Sequence, residues 1–135
     1  MVVFLDTSAI FALADTNDEN HQVAVARFKA ALDAGDDFLT HNYVILESLA
    51  LVQRRLGWEV TRWLLSEVSA FRVRWVDQEL HQAALKSFAE RRGRISLVDS
   101  VSFLVMREAG ISHVLGFDDD FVREGFRPYL PEPSR

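Results

Sequence analysis

The chain has 135 residues, no cysteine and a formal net charge of -5. The missing cysteines exclude a disulfide-stapled scaffold, and the excess of acids argues against a protein that holds nucleic acid through basic charge spread over its surface. No basic leader precedes the first apolar run, and no apolar run approaches the roughly 20 residues that span a bilayer, so we expect a cytoplasmic protein without a membrane segment, folded as one domain over residues 1–135.

The first stretch of the chain predicts a buried strand that turns into a helix. Residues 2–5 are apolar without alternation, as in a strand that is buried on both faces of a parallel sheet. Asp6, Thr7 and Ser8 follow, and a hydroxyl at this turn can cap the short helix expected over residues 9–14. Ligands of open α/β sheets bind beyond the carboxyl ends of the strands, so Asp6 is the first candidate site residue. A simple turn or capping role is the alternative explanation.

The following segments place one acid in an otherwise apolar helix. The patterns predict a helix over 21–34, a strand over 37–40, a helix over 42–56, a helix over 58–70 and a half-exposed strand over 71–76. Glu47 lies in the helix that Asn42 is expected to cap, on one face with Val44 and Leu51. We therefore expect Glu47 to be shielded from bulk water, where an unpaired acid is costly. An ion pair with an arginine is the alternative explanation.

The next part of the chain contains a capping motif behind a basic loop. Asp77 is expected to cap a helix that runs to about residue 90, and a loop with three arginines follows it. Ser96 and Asp99 match a capping box that opens an apolar helix ending at Ala109. The capping role alone would explain Asp99.

The last central strand ends in a run of acids. Residues 112–117 predict this strand, and Asp118, Asp119 and Asp120 follow it, before a short helical turn and an edge strand near Pro128. Asp118 is nearest the strand end, whereas Asp120 is expected to cap the short helix. The alternation of strands and helices predicts an α/β fold, with a central parallel sheet covered by helices on both faces.

Four of these acids are expected to meet at one edge of the sheet. Asp6 and Asp118 leave the carboxyl ends of strands, and Glu47 and Asp99 lie in the first turns of helices that begin at the same edge. Converging carboxylates repel one another, and a divalent cation removes that repulsion. Oxygen ligands without histidine or cysteine point to Mg²⁺ or Mn²⁺, and such a site suits hydrolysis of phosphodiester bonds.

Taken together, these short motifs resemble those of PIN-domain ribonucleases, most closely the VapC-type toxins of toxin–antitoxin pairs. The resemblance rests on residues 3–8 (VFLDTS), Glu47, residues 97–99 (LVD) and residues 116–121 (GFDDDF), and it covers almost the whole chain. It implies a single PIN-like domain with strand order 3-2-1-4-5 and a Mg²⁺ or Mn²⁺ cofactor. It also implies a homodimer, a cognate antitoxin partner and an RNA substrate that the protein cleaves.

The resemblance also implies one set of residues that are both catalytic and metal-binding: Asp6, Glu47, Asp99 and Asp118. Asp6 and Asp99 are the expected direct ligands, and Ser8 is the hydroxyl that supports Asp6. Many relatives carry serine or threonine where this chain has Gly116, so a supporting hydrogen bond from that position is in doubt. Whether Asp119 or Asp120 joins the site is left open.

Two regions are candidates for binding a partner or the substrate. Arg91, Arg92 and Arg94 are expected to contact RNA phosphates, with a solvated loop as the alternative. The aromatic content between Leu56 and Trp75 exceeds what a small core needs, so we expect part of it to bind an antitoxin segment or a second protomer.

Other classes of acid-bearing α/β proteins fit the motifs less well. A metal-dependent adhesion module needs a serine where Ile10 stands, and a haloacid-dehalogenase-like phosphatase needs an acid where Ser8 stands. A phospho-receiver domain needs a lysine after a late strand, whereas both lysines, Lys29 and Lys86, lie on predicted helices. A PIN fold that binds RNA or a partner without cleaving remains the alternative to an enzyme.

Overall fold

A five-stranded parallel sheet organises the computed structural model, which describes residues 1–131 of the chain. Its elements, in chain order, are β1 (Val2–Leu5), α1 (Thr7–Ala14), α2 (His21–Asp33), β2 (Asp37–His41), α3 (Asn42–Leu56), α4 (Trp58–Val68), β3 (Arg72–Arg74), α5 (Gln78–Glu90), α6 (Leu97–Ala109), β4 (His113–Leu115), α7 (Asp120–Arg123) and β5 (Arg127–Pro128). The strand order is β3-β2-β1-β4-β5, and each neighbouring pair is parallel. The predicted fold class and strand order are confirmed.

The central strand β1 is covered on both sides. Val3, Phe4 and Leu5 have no exposed surface, and side chains of successive strand residues point to opposite faces of a sheet. Helices therefore pack on both faces, as the unbroken apolar run predicted. Such a strand suits the middle of the sheet, where it pairs with β2 on one side and β4 on the other.

The carboxyl ends of β1 and β4 lie side by side. Leu5 is in register with Leu115, and the Asp6 N–H donates to the Leu115 carbonyl at 3.1 Å. Helix α1 begins at the next residue, Thr7. The chain segments that leave these two strands therefore start from neighbouring points on one edge.

The start of α3 differs from the expected cap. His41 rather than Asn42 is the N-cap residue, and its Nδ1 accepts a hydrogen bond from the Val44 N–H at 3.3 Å. The Asn42 side chain is used elsewhere, because its Oδ1 accepts from the Val76 N–H at 2.6 Å. The prediction that Asn42 caps this helix is wrong, since the segment after β3 takes its amide oxygen.

Several large apolar side chains remain on the surface. Trp58, Trp63 and Trp75 are 59%, 42% and 68% exposed, and all three lie in the region that the sequence marked for partner binding. Among residues 1–131, none of the helices has the length and apolar character that would let it cross a membrane.

Candidate active site

Five carboxylates line one open crevice at the carboxyl edge of the sheet. Its volume is about 410 Å³, and no lysine or arginine of the described residues lines it. The acids are Asp6, Glu47, Asp99, Asp118 and Asp120. The four predicted site acids are thus brought together, and a fifth joins them.

Asp6 is held in place by Ser8. Its Oδ2 accepts hydrogen bonds from the Ser8 hydroxyl at 2.8 Å and from the Ser8 N–H at 3.4 Å. The Ser8 Oγ in turn accepts from the Phe117 N–H at 2.9 Å, so one hydroxyl links the segments after β1 and β4. Burial raises the pKa of Asp6 to about 6, against the lowering effect of the Ser8 hydrogen bonds.

Asp99 lies at the start of α6 with its carboxylate turned to the crevice. The Ser96 hydroxyl accepts from the Asp99 N–H at 3.0 Å, as the capping box predicts. Among the described residues, the carboxylate does not return a bond to the Ser96 N–H, so capping explains only the backbone of Asp99. Burial raises its pKa to about 8, and the negative charges of Asp6 and Asp118 and a hydrogen bond with the Asp118 carboxyl group add to the rise.

Asp120 belongs to the tightest cluster of acids among the described residues and does not cap α7, whose N-cap residue is Asp119, so the prediction of a capping role is wrong. One oxygen from each of Asp99, Asp118 and Asp120 lies within 4.8 Å of the other two. The cause is a local turn, in which the Asp118 Oδ1 accepts from the Asp120 N–H at 2.9 Å. This bond brings two acids spaced two residues apart to the same side of the chain. The spacing after a strand end was the signal that could have identified Asp120, whereas Asp119 is exposed and does not line the crevice.

Glu47 lies at the mouth of the crevice and is exposed, so the prediction of a shielded acid is wrong. It sits in the second turn of α3, where Val44 and Ser48 take the buried face. None of the ion pairs within residues 1–131 includes Glu47, which also removes the arginine-pair explanation. Helix α3 is not buried all round, since Leu46 is 68% exposed.

The donor set fits a hard divalent cation. All side chains that line the crevice and could act as ligands offer oxygen, which Mg²⁺ and Mn²⁺ prefer, and none offers imidazole or thiolate. Burial first, and then the charges of neighbouring acids, raise the pKa values of Asp6 and Asp99, and a bound cation would favour their charged forms. Thr7 also lines the crevice, and its buried Oγ1 has no hydrogen-bond partner among the described residues.

Gly116 packs directly against the site. A Cβ at this position would lie 3.0 Å from the Asp6 Cβ and 3.3 Å from the Ser8 Oγ. Contacts this short leave no room for the serine or threonine that many relatives carry, unless Asp6 moves. The supporting hydrogen bond in this chain runs instead between the Phe117 N–H and Ser8.

The arginines before α6 divide into two kinds. Arg91 is engaged with Glu124 through two hydrogen bonds, one of them 2.9 Å long, and Arg107 donates to the same carboxylate at 2.7 Å. These contacts join the end of α7 to the end of α5 and to α6. Arg92 and Arg94 are exposed on the loop. Contact with RNA phosphates stays a prediction for all three loop arginines, and the pairing with Glu124 makes Arg91 the least available of them.

Comparisons with known proteins agree with this geometry. The family model described as "PIN domain" matches residues 3–126. The 23S rRNA-specific endonuclease VapC20 of Mycobacterium tuberculosis is 31% identical to this chain over an alignment 134 residues long. The alignment covers 97% of this chain and 100% of that protein. Its crystal structure, described as a sarcin-ricin loop cleaving toxin, superposes with a TM-score of 0.80 at 30% identity, covering 93% of this chain and 96% of that one. A Pyrobaculum aerophilum protein shares the fold alone, with a TM-score of 0.64 at 20% identity, over 95% of this chain and 90% of its own.

Proposed function

Because this chain belongs to the PIN-domain family, whose fold is that of a nuclease, we propose that it is an endoribonuclease that uses Mg²⁺ or Mn²⁺ to hydrolyse RNA phosphodiester bonds. We further propose that it is the toxin of a type II toxin–antitoxin pair and acts in the cytoplasm. The observation that supports the activity best is the meeting of Asp99, Asp118 and Asp120 oxygens within 4.8 Å, beside Asp6. A chain that only bound RNA would gain nothing from acids that repel a polyanion.

The crevice residues divide between holding a cation and handling the attacking water. Asp99, Asp118 and Asp120 would hold the cation, with Asp6 adjacent to them. When bound, the cation would lower the pKa of a water and offset the charge that develops on the phosphate oxygens. In hydrolysis, a bond forms between the water oxygen and phosphorus, one ester P–O bond breaks, a proton leaves the water, and the leaving oxygen takes up a proton from solvent. The exposed Glu47 carboxylate at the mouth of the crevice is placed to accept that proton.

Two hydroxyls complete this assignment. Ser8 keeps the Asp6 carboxylate in one orientation, because it donates to Asp6 while it accepts from Phe117. To Thr7, whose buried Oγ1 has no hydrogen-bond partner among the described residues, we assign a hydrogen bond to a water held within the crevice wall. Fixed groups of this kind matter because hydrolysis depends on the placement of water relative to the phosphate.

The substrate class follows the relatives at 31% identity. Because that relative is named as an endonuclease of 23S rRNA, and its structure as a toxin that cleaves the sarcin-ricin loop, we propose that this chain cleaves a loop of ribosomal RNA. An open crevice admits a strand that bulges from a folded RNA.

The partner surface is proposed on the helices α1, α2 and α4. An apolar cleft of about 120 Å³ lies between them, with Leu13, Phe28 and Trp63 among its lining residues. Trp58 is exposed on α4 as well. We propose that this surface binds the antitoxin or a second copy of the chain, because exposed aromatic patches of this kind mark interaction sites.

The activity is tested with purified protein and ribosomal RNA in Mg²⁺ or in EDTA. We expect cleavage only with the cation, and a loss of about two orders of magnitude or more in Asp6→Asn and Asp99→Asn, since each removes a charge from the centre of the site. Asp37→Asn, on the exposed start of β2 at the opposite edge, is the matched control and should cleave normally. Full activity in EDTA, or in either crevice variant, would contradict a cation-dependent reaction at these acids, and a wild type that cleaves no RNA would leave only the non-catalytic binding function.

A further inference from the structure

Two arginines near the crevice lie over phenylalanine rings instead of pairing with acids. The Arg27 Cζ is 5.7 Å from the centre of the Phe117 ring, and the Arg55 Cζ is 5.7 Å from the centre of the Phe11 ring. Neither guanidinium takes part in an ion pair or hydrogen bond within residues 1–131. Six other arginines of these residues do pair with carboxylates: Arg62, Arg72, Arg74, Arg91, Arg107 and Arg123.

Both phenylalanine rings are tied to the site. Phe117 immediately precedes Asp118, and its N–H donates to Ser8 at 2.9 Å. Phe11 lies on α1, one helical turn after Ser8. Arg27 and Arg55 are therefore positioned through residues that adjoin the crevice wall in sequence or by one helical turn.

The position of Arg55 on α3 also places it near the crevice. Leu51 lines the crevice, and Arg55 follows it by one turn on the same face of α3. Arg27 reaches Phe117 from α2. Arg27 and Arg55 thus project from α2 and α3, the two helices that pack against α1, while Arg94 lies beside Asp120 on the α7 side of the crevice.

We propose that Arg27 and Arg55 bind phosphates of the RNA strand on the α1 side of the crevice, so that the strand crosses the acids between basic groups on both sides. This inference rests on the proposed function, because it names how that substrate is held. The acidic crevice repels a polyanion, so the flanking phosphates need positive charge near by. A guanidinium over an aromatic ring is already ordered, while its N–H edge stays open to a phosphate.

The test is RNA binding measured as a function of salt, without cleavage. A fluorescent single-stranded RNA oligonucleotide is titrated with protein in the Asp99→Asn background, and anisotropy is followed at several NaCl concentrations. Each phosphate contact to a single strand contributes about 0.7 to the slope of log K against log salt. We expect Arg27→Ala and Arg55→Ala each to lower the slope by about this amount, and the double variant to lower it by about twice as much.

Matched variants distinguish the effect of a lost charge on RNA binding from an effect on folding. Arg127→Ala removes an exposed arginine, without an ion pair among the described residues, at the amino-terminal edge of the sheet, and it should leave the slope unchanged. Arg27→Lys and Arg55→Lys keep the charge and should keep the slope. These variants stay informative if an alanine variant proves too unstable to measure. In the cleaving protein, Arg27→Ala should raise KM and leave kcat unchanged.

The outcomes distinguish this inference from the proposed activity. If Arg27→Ala and Arg55→Ala bind RNA with the slope of Arg127→Ala, the inference is overturned, whether or not the wild type cleaves. If the alanine variants lose antitoxin binding and keep RNA binding, the inference is also overturned, and Arg27 and Arg55 belong to the interface with the protein partner. If the slopes fall as expected but the wild type cleaves no RNA, the inference stands and the activity fails.

Discussion

His41 Nε2 lies 2.8 Å from the Ser102 Oγ, in a fully buried contact between the end of β2 and helix α6. The His41 Nδ1 accepts from the Val44 N–H, and Ser102 donates to the Val98 carbonyl at 3.0 Å. The Nε2 atom must therefore carry the proton and donate to Ser102. One neutral imidazole thus joins α3, which carries Glu47, to the helix that carries Asp99.

This contact predicts a specific acid sensitivity. Burial lowers the pKa of His41 to about 3, whereas the unfolded side chain takes up a proton below its ordinary value of 6.5. The unfolded state then binds more protons, so His41 makes the free energy of unfolding fall as pH drops from 6.5 towards 3, by up to about 1.4 kcal/mol per pH unit. His41→Asn can still cap α3 but does not titrate.

Urea denaturation between pH 4 and 7 measures this effect. We expect the free energy of unfolding of His41→Asn to be about 1–3 kcal/mol below that of wild type at neutral pH, because Ser102 loses a buried partner. This difference between the two proteins should become smaller as pH falls. His113→Asn, at the amino-terminal end of β4, is the control and should show no such change. A gap for His41→Asn that stays constant with pH contradicts the prediction.

The repulsion among the acids predicts the pH dependence of the metal-free protein. Burial and mutual charge raise the pKa values of Asp6 and Asp99 to about 6 and about 8, above the ordinary 3.8. The folded state then holds protons that the unfolded state has released. In EDTA these two acids should therefore make the free energy of unfolding fall as pH rises from 4 towards 8, opposite to the contribution of His41, because each unit of raised pKa corresponds to about 1.4 kcal/mol. The difference in stability between wild type and Asp99→Asn, followed over this pH range, isolates the contribution of the acids.

Asp99→Asn tests the source of this repulsion. In EDTA at neutral pH the variant should melt at or above the wild-type temperature, and it should lose most of the stabilisation that Mg²⁺ gives the wild type. Asp77→Asn, which replaces a capping acid outside the crevice, should respond to Mg²⁺ as wild type does. If Asp99 served only as a cap, Asp99→Asn would lose about 0.5–2 kcal/mol and keep the full Mg²⁺ response.

Asp119 and Asp120 are adjacent in sequence but should contribute differently to cation binding. Asp120 lies in the cluster with Asp99 and Asp118, whereas Asp119 is exposed beside it. We expect Asp120→Asn to weaken Mg²⁺ binding by about 10-fold or more, measured by calorimetry, and Asp119→Asn to leave it unchanged. Equal effects of the two substitutions would show that Asp120 acts only through the general negative charge of the loop.

Formation of the dimer or of the antitoxin complex should depend on Trp58 and Trp63, the two exposed tryptophans of α4. Trp58→Ser and Trp63→Ser should each weaken the dimer or the antitoxin complex by at least about 2 kcal/mol, as buried aromatic anchors do at interfaces. Light scattering and co-purification measure this, and Leu130→Ser, at an exposed position near the C-terminus, is the control. A wild-type protein that is strictly monomeric and recovers no partner contradicts the proposal.

The parts of the site that could be predicted from sequence are those set by short-range patterns. The unbroken apolar run before Asp6, and the spacing of Ser96 and Asp99, place both acids at the edge of the sheet. Sequence does not reveal which face of an apolar helix is buried, and the prediction that Glu47 is shielded from water is wrong for that reason. The pairing of Arg91 with Glu124 joins residues 33 positions apart, so only the folded chain shows it.

The close packing of Gly116 against Asp6 makes the position of this carboxylate in the present chain depend on the absence of a side chain at residue 116. Asp6 is only 3% exposed and is fastened by Ser8, so a side-chain carbon 3.0 Å from its Cβ must displace it by a few tenths of an ångström. Every missense change in a glycine codon adds at least that carbon. If the chain is the toxin proposed above, selection for cells that survive its expression should therefore recover substitutions at this codon that lower cleavage, and such variants would keep the helical surface proposed to bind an antitoxin.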